Sequence, residues 1–282
     1  MRGWVPRSTA RAAASVTLAL VMGVVGSAVE GGRGRASAAA DPASTAPPCE
    51  LPVGDQNLGD ADGALVVLLD GSTSSAEQPD RATELGRLLD TATADDALMV
   101  SIGSFGGSDA EVRFSPCLDG VLFVPDGNNH RTRDRNRPGL LEAAGEQLGA
   151  LETGYGTSDP TSAVRAGIRR LADDAAARGG DDPFTRTLVI HTDGIPTTGC
   201  AALPAQVDVS QPGLVDTLVA ACVDAGQLPD ATGVDIVVAG VGRPDQDLTA
   251  DAVTFLLQLT TSLCAATGAA SCRVDPNLPP DV

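Results

Sequence analysis

The chain has 282 residues, a formal net charge of −18 and only 2% aromatic residues, and it contains no lysine. An acidic, lysine-free surface repels nucleic acid and anionic lipid, so neither is an expected partner. The scarcity of aromatic rings also argues against a stacking platform for bases or sugars. Cations are the ligands that such a surface tolerates best.

Residues 1–40 have the order of a secretory signal. Arg2, Arg7 and Arg11 precede an apolar stretch at 12–29, and Gly- and Ala-rich sequence follows it. The alternative is an uncleaved N-terminal membrane anchor, because about 18 apolar residues are just enough to span a bilayer. Both interpretations predict a secreted or envelope-associated protein. Residues 41–62, which are rich in Pro, Gly, Asp and Ala, are expected to form a flexible lead-in.

From residue 63 onward, short apolar runs alternate with amphipathic segments. This pattern predicts a doubly wound, mostly parallel α/β sheet flanked by helices, with one short antiparallel edge strand. Strands are expected at 64–69, 97–105, 112–114 (the edge strand), 187–191 and 234–241. Helices are expected from Pro79 to about residue 92 and at 140–151, 160–178, 214–225 and 248–266. One domain should therefore cover residues 63–274, with an irregular insertion at 115–138 and a tail at 275–282.

The six cysteines are an even number in a chain that is expected to be exported, so disulfides are predicted. Cys264 and Cys272 are close enough in sequence for a local bridge, and Cys200 with Cys222 could close a loop. Other pairings remain open because connectivity does not follow from sequence. No C-x-x-C pair is present, which argues against a zinc site or a thioredoxin-like centre.

The strand at 64–69 runs into Asp70-Gly71-Ser72-Thr73-Ser74, a D-x-S-x-S pattern. One carboxylate and two hydroxyls at alternate positions suit a hard cation such as Mg²⁺, Mn²⁺ or Ca²⁺. The carboxyl end of a parallel strand is also where open α/β sheets bind ligands. The alternative is a structural turn that caps the following helix, because Asp and Ser are common in turns.

Two further segments place oxygen ligands where the same sheet edge would need them. A loop at 154–164 carries Thr157 and Ser158 ahead of a helix, and the strand at 187–191 ends in Thr192-Asp193-Gly194. With the D-x-S-x-S pattern, these segments resemble the von Willebrand factor type A domain and its metal-ion-dependent adhesion site. The resemblance covers roughly residues 61–272, and the three motifs occur in the order that the family has.

The resemblance implies that Ser72 and Ser74 bind the metal directly, while Asp70 and Asp193 hold its water ligands. The third hydroxyl departs from the family pattern. The family typically has a Thr five positions before a small residue, and counting back five positions from Ala163 gives Ser158.

Thr157 remains the alternative to Ser158 for this third position. In the family, the Asp or Glu of a protein partner often fills the open coordination position of the metal.

Enzyme motifs are missing from the sequence. It contains no G-x-S-x-G elbow, no phosphate-binding P-loop and no G-x-G-x-x-G after the first strand. The two histidines, His130 and His191, lie near no evident nucleophile; a packed His191 and a solvated turn at His130 are expected. The sequence therefore predicts a non-enzymatic, metal-dependent module that binds a protein partner. A metal-dependent hydrolase using the same cluster and an envelope scaffold with a vestigial metal site are the alternatives.

Overall fold

A computed structural model describes residues 57–76, 81–124, 139, 141–142, 144–146, 151, 154–180, 182–204, 207–244 and 246–279. The predicted signal or anchor at 1–40 and the lead-in up to residue 56 lie outside these residues, as does His130. Within the described ranges, no helix is both long and apolar enough to cross a membrane.

The centre of the protein is a seven-stranded sheet in the order β3-β2-β1-β5-β6-β7, with β4 also paired to β2. Five strands run parallel, and β3 and β4 pair with β2 in the antiparallel direction. The predicted mostly parallel α/β sheet is therefore confirmed. The strands are β1 (Gly63–Asp70), β2 (Leu98–Phe105), β3 (Arg113–Phe114), β4 (Val121–Phe123), β5 (Thr185–His191), β6 (Asp235–Ala239) and β7 (Ser271–Asp275).

Helices cover both faces of the sheet. They are α1 (Thr73–Ala76), α2 (Arg81–Asp95), α3 (Pro160–Arg178), α4 (Leu214–Asp224) and α5 (Ala250–Ala266), with 3₁₀ turns at Leu58–Asp60 and Asp109–Glu111. The described residues between 139 and 146 are also helical. Side-chain caps mark the starts of two helices: Asp159, before Pro160, accepts a hydrogen bond from the Thr161 N–H, and Thr249 accepts one from the Ala252 N–H.

The sheet separates two apolar layers, and β1 is buried along its whole length. One face packs against α2 through Leu85, Leu88 and Leu89. The other face packs against α3 and α5 through residues such as Leu171 and Leu256. A strand buried on both faces reads as a continuous apolar run, which is why the β1 segment was recognisable in the sequence.

Strand β1 lies between β2 and β5, so chain connections leave it in opposite directions along the sheet. Asp70 at its carboxyl end is opposite Phe105 of β2, and Leu69 is opposite His191 of β5. A crevice forms at such a reversal point in doubly wound sheets, outside the carboxyl ends of the strands. The fold therefore brings the ends of β1 and β5 to one place.

The segment 115–138 is not wholly irregular, which corrects the sequence interpretation. Residues 121–123 form β4 along part of β2, and Leu118 is fully buried in the core layer next to α2. The apolar run Val121-Leu122-Phe123 is too short to stand out as a strand, but it covers the edge of β2 next to β3. Residues 125–138 lie outside the described part of the chain.

The C-terminal boundary also differs from the prediction. Asp275 is the last residue of β7, which pairs in parallel with β6, and Leu278 is buried against the α2 layer. The folded unit therefore extends past residue 274. The sequence did not indicate β7 because its five residues are mostly half-exposed and alternate in polarity, so they form no apolar run. A short edge strand of this kind depends on its neighbour for stability.

Both proposed local disulfides are present. Cys200 pairs with Cys222, and Cys264 pairs with Cys272. Cys117 is disulfide-bonded as well, whereas Cys49 lies outside the described residues. The first bridge ties α4 to the loop after β5, and the second ties α5 to the edge strand β7.

Candidate metal centre

The D-x-S-x-S loop (residues 70–74) turns sharply after β1. The Asp70 side chain is fully buried, and its Oδ1 accepts a 2.8 Å hydrogen bond from the Ser72 N–H. The Gly71 carbonyl accepts hydrogen bonds from the Gly154 and Tyr155 N–H groups at 2.8 and 3.1 Å. The backbone itself therefore joins this loop to the loop that precedes α3.

The other carboxylate oxygen of Asp70 gathers two hydroxyls from distant parts of the chain. Ser158 Oγ donates to Oδ2 at 2.8 Å, and Thr192 Oγ1 donates to the same atom at 2.6 Å. Ser158 is fixed in turn, since its N–H donates to Thr197 Oγ1 at 2.7 Å and its carbonyl accepts from the Thr197 N–H. Asp70 thus joins three segments of the chain: the loop after β1, the loop before α3 and the turn after β5.

A second carboxylate lies beside the first. Ser74 Oγ donates to Asp193 Oδ2 at 2.6 Å, and the Ile195 N–H donates to Oδ1 at 2.9 Å. Burial raises the pKa of Asp193 above its ordinary range; the Asp70 charge also raises it, while the two hydrogen bonds oppose the shift. Two buried carboxylates close enough to interact leave excess negative potential that a cation would relieve.

Ser72 is only 7% exposed and its hydroxyl is buried. Within the part of the chain that the structure describes, this hydroxyl has no hydrogen-bond partner. An unsatisfied buried hydroxyl is costly, and one in a loop that bonds to both Asp70 and Asp193 fits a cation ligand. The described residues contain no group of three or more His, Cys, Asp or Glu side chains able to hold a metal. Any cation at this place would therefore be held largely by hydroxyl oxygens.

The structure brings together five of the predicted site residues: Asp70, Ser72, Ser74, Ser158 and Asp193. The two candidates for the third hydroxyl, Ser158 and Thr157, make different contacts. Ser158 is 1% exposed and bonds to Asp70, whereas the Thr157 hydroxyl lies against Gly107, where an added Cβ would be 2.0 Å from Thr157 Oγ1. The absence of a side chain at Gly107 leaves room for the Thr157 hydroxyl at this place.

Two residues near the candidate centre were not assigned by sequence reasoning. Thr192 opens the Thr-Asp-Gly motif but had no predicted role, and its hydroxyl donates to Asp70. Arg81, at the start of α2, donates from Nη1 to the Asp70 carbonyl at 2.9 Å. The position of Thr192 beside Asp193 could have indicated the first, while nothing in the sequence distinguishes Arg81 from the other arginines.

A buried charged cluster lies between α2 and the ends of β5 and β6. Glu84 contacts Arg243 Nη1 at 3.1 Å and His191 Nε2 at 3.5 Å. Burial alone would raise the pKa of Glu84, but the neighbouring His191 side chain, the Leu278 N–H and Arg243 lower it to about 2. Burial lowers the pKa of His191 despite Glu84. His191 is therefore a packed residue, as the sequence predicted.

Comparisons with known proteins find structural similarity only: no protein-family model and no curated protein matches the chain. Among solved structures, it is similar to an aerotolerance-related membrane protein from Bacteroides fragilis (16% identity, 77% of this chain and 93% of the other, TM-score 0.34). It is also similar to the conserved hypothetical protein BatB from Bacteroides thetaiotaomicron (15% identity, 76% and 90%, TM-score 0.33).

A third similar structure is a von Willebrand factor type A protein from Catenulispora acidiphila, with 15% identity and a TM-score of 0.36. The similarity covers 72% of this chain but only 43% of that structure. Identities this low transfer no residue roles, so the candidate centre stands on its own geometry.

Proposed function

We propose that this protein is a von Willebrand type A-like binding module of the cell envelope or exterior, which binds a protein partner through a divalent cation at the ends of β1 and β5. The observation that carries the proposal is the buried hydroxyl of Ser72, which has no hydrogen-bond partner among the described residues and lies in a loop that bonds to Asp70 and, through Ser74, to Asp193. The disulfides are consistent with an oxidising compartment.

The hydrogen-bond directions at this centre suit a cation. Ser74 directs its proton to Asp193, and Ser158 directs its proton to Asp70. A hydroxyl that has used its proton in this way still has oxygen lone pairs to offer. The proposed direct ligands are therefore Ser72, Ser74 and Ser158.

Asp70 and Asp193 are the proposed anchors of the cation's water ligands. Mg²⁺ fits best because it prefers oxygen ligands and keeps several waters. Mn²⁺ and Ca²⁺ use the same ligand type and are tested beside it.

The partner is proposed to present an Asp or Glu to the cation. Three neutral hydroxyls and two carboxylates that reach the ion through water leave much of its charge available to another anion. An incoming carboxylate would contribute a charged bond that a neutral group would not. The module acts in this view by binding and has no catalytic role.

Metal titration of the protein, followed by thermal unfolding, tests the cation site. We expect Mg²⁺ to raise the melting temperature of the wild type, because a ligand that binds only the folded state stabilises it. The double variant Ser72→Ala/Asp193→Ala should lose this shift. The matched control is Asp208→Ala/Ser210→Ala, which removes the same two side-chain types from an exposed, hydrogen-bonded pair. Equal Mg²⁺ stabilisation of the wild type and both variants would contradict the site.

Partner binding is tested by capture of surface proteins with the immobilised protein, in Mg²⁺ and in EDTA. The expected result is capture that EDTA abolishes, that returned Mg²⁺ restores and that the Ser72→Ala/Asp193→Ala variant lacks. Capture that persists in EDTA would favour a scaffold with a vestigial metal site. Hydrolysis of generic phosphate or ester substrates that Asp70→Asn abolishes would favour the metal-dependent hydrolase.

A further inference from the structure

Arg81 connects the two ends of the segment that carries the candidate hydroxyl ligands. Its Nη1 atom donates to the Asp70 carbonyl at 2.9 Å and to the Ser75 carbonyl at 3.4 Å. These carbonyls flank Ser72 and Ser74. A single guanidinium nitrogen therefore closes the D-x-S-x-S loop from the side of α2.

The guanidinium of Arg81 is held in an environment that is unusual for an arginine. Burial lowers the pKa of Arg81 to about 10, and the nearby Asp70 carboxylate opposes this shift. Removing a charge from water is costly unless polar partners replace the lost hydration. The two carbonyls and the Asp70 charge supply that compensation, so the position of Arg81 is tied to the position of the loop.

The first turn of α2 is attached on its other side as well. Glu84 lies three residues after Arg81 and contacts Arg243 and His191, which follow β6 and end β5 respectively. A buried ion pair of this kind resists displacement, because moving one partner leaves the other charge unpaired. Helix α2 therefore links the loop after β1 to the ends of two other strands.

From these contacts we infer that Arg81 is a positioning residue for the cation site, which sets the spacing of the Ser72 and Ser74 oxygens without touching the ion. This inference rests on the proposed function. It assigns to α2 the task of preorganising the loop, since hydroxyl ligands are weak individually and bind well only when they converge.

The test uses Tb³⁺, an oxygen-seeking ion whose emission a nearby tyrosine sensitises. Tyr155 is the only tyrosine in the chain, and its backbone N–H bonds to Gly71 in the loop. Affinity comes from titration, and emission lifetimes in H₂O and D₂O report the number of water ligands. Overall destabilisation of the fold would not change that number in the molecules that remain folded.

Arg81→Met should bind Tb³⁺ about tenfold more weakly, which is the size of loss that follows when a contact supporting a metal ligand is removed. The bound ion should also show additional water ligands. Arg81→Lys keeps the charge without the planar guanidinium and should give intermediate values. Arg87→Met removes an exposed arginine from the same helix and should match the wild type. Wild-type affinity and lifetimes in Arg81→Met would overturn the inference. If Arg81→Met does not fold, the same result in Arg81→Lys overturns it.

The wild-type titration separates this inference from the function on which it rests. Sensitised emission that Mg²⁺ displaces supports the cation site, and unchanged binding in the Arg81 variants would then refute only the positioning role. Absence of any wild-type binding would overturn both. Binding that weakens in Arg81→Met but not in Arg87→Met supports both.

Discussion

The Ser158 hydroxyl donates a 2.8 Å hydrogen bond to Oδ2 of Asp70, although 88 positions separate the two residues in the chain. The same oxygen also accepts from Thr192. Asp70 is therefore the point where the segments after β1, before α3 and after β5 converge. Its carboxylate orients hydroxyls that come from two other segments, which is the arrangement a shared ligand would need.

Replacing each of the two candidate third hydroxyls should distinguish between them. Ser158→Ala removes an oxygen bonded to Asp70, so we expect Mg²⁺ affinity to fall about tenfold or more. Thr157→Ala changes a side chain that lies against Gly107 and should leave the affinity unchanged. Isothermal titration of both variants measures the difference, and a larger loss in Thr157→Ala would reverse the assignment.

Thr192→Val should destabilise the fold even without metal. The change keeps the side-chain shape but removes a donor to Asp70 and the acceptor of the Gly194 N–H. Loss of buried hydrogen bonds to a charged group costs about 1–3 kcal/mol of unfolding free energy. Urea unfolding measures it, with Thr187→Val in β5, the strand that Thr192 follows, as control. Equal stability of the two variants would mean that the Thr192 hydroxyl contributes nothing.

The Glu84 cluster should be sensitive to removal of one partner and tolerant of removal of both. Glu84→Gln leaves Arg243 buried without a full counter-charge, so we expect a loss of about 3 kcal/mol. The pair Glu84→Leu/Arg243→Met removes both charges and should recover most of that loss. Chemical denaturation of the wild type, Glu84→Leu, Arg243→Met and the double variant gives the coupling energy, and simple additivity of the two single changes would refute a coupled pair.

Asp174 should make stability depend on pH in a defined direction. Burial raises its pKa from 3.8 to about 6, with Asp119 and Asp173 adding to the shift and Arg170 opposing it. The folded protein therefore holds this proton more tightly than the unfolded chain does. Its contribution to the unfolding free energy is greatest below the ordinary pKa and declines as the pH rises towards 6.

Asp174→Asn should flatten the decline over that pH window, whereas Asp173→Asn, one residue earlier and exposed, should keep it. Thermal unfolding across the window measures both slopes. The lowered pKa of Glu84 acts at more acidic pH, since that stabilisation is lost only as the pH falls from 4.5 towards 2. An unchanged slope in Asp174→Asn would show that another group titrates.

Much of the fold and most of the candidate centre could be predicted from the sequence, for different reasons. Strands such as β1 are recognisable because burial on both faces demands an unbroken apolar run. The D-x-S-x-S and Thr-Asp-Gly motifs follow such strands directly. β4 and β7 were missed because each is short and gains its stability from the strand beside it.

The sequence by itself determined the alternation of the longer strands and helices, the acidic composition and the three hydroxyl- and carboxylate-bearing segments, because these depend on local pattern and composition. Only the tertiary structure gave Ser158 and Thr157 different contacts, and only it placed Arg81 on the loop carbonyls and Glu84 on Arg243. Those choices depend on which atoms meet across the carboxyl ends of β1 and β5. Contacts between residues distant in the chain are set by packing, and no spacing within the sequence encodes them.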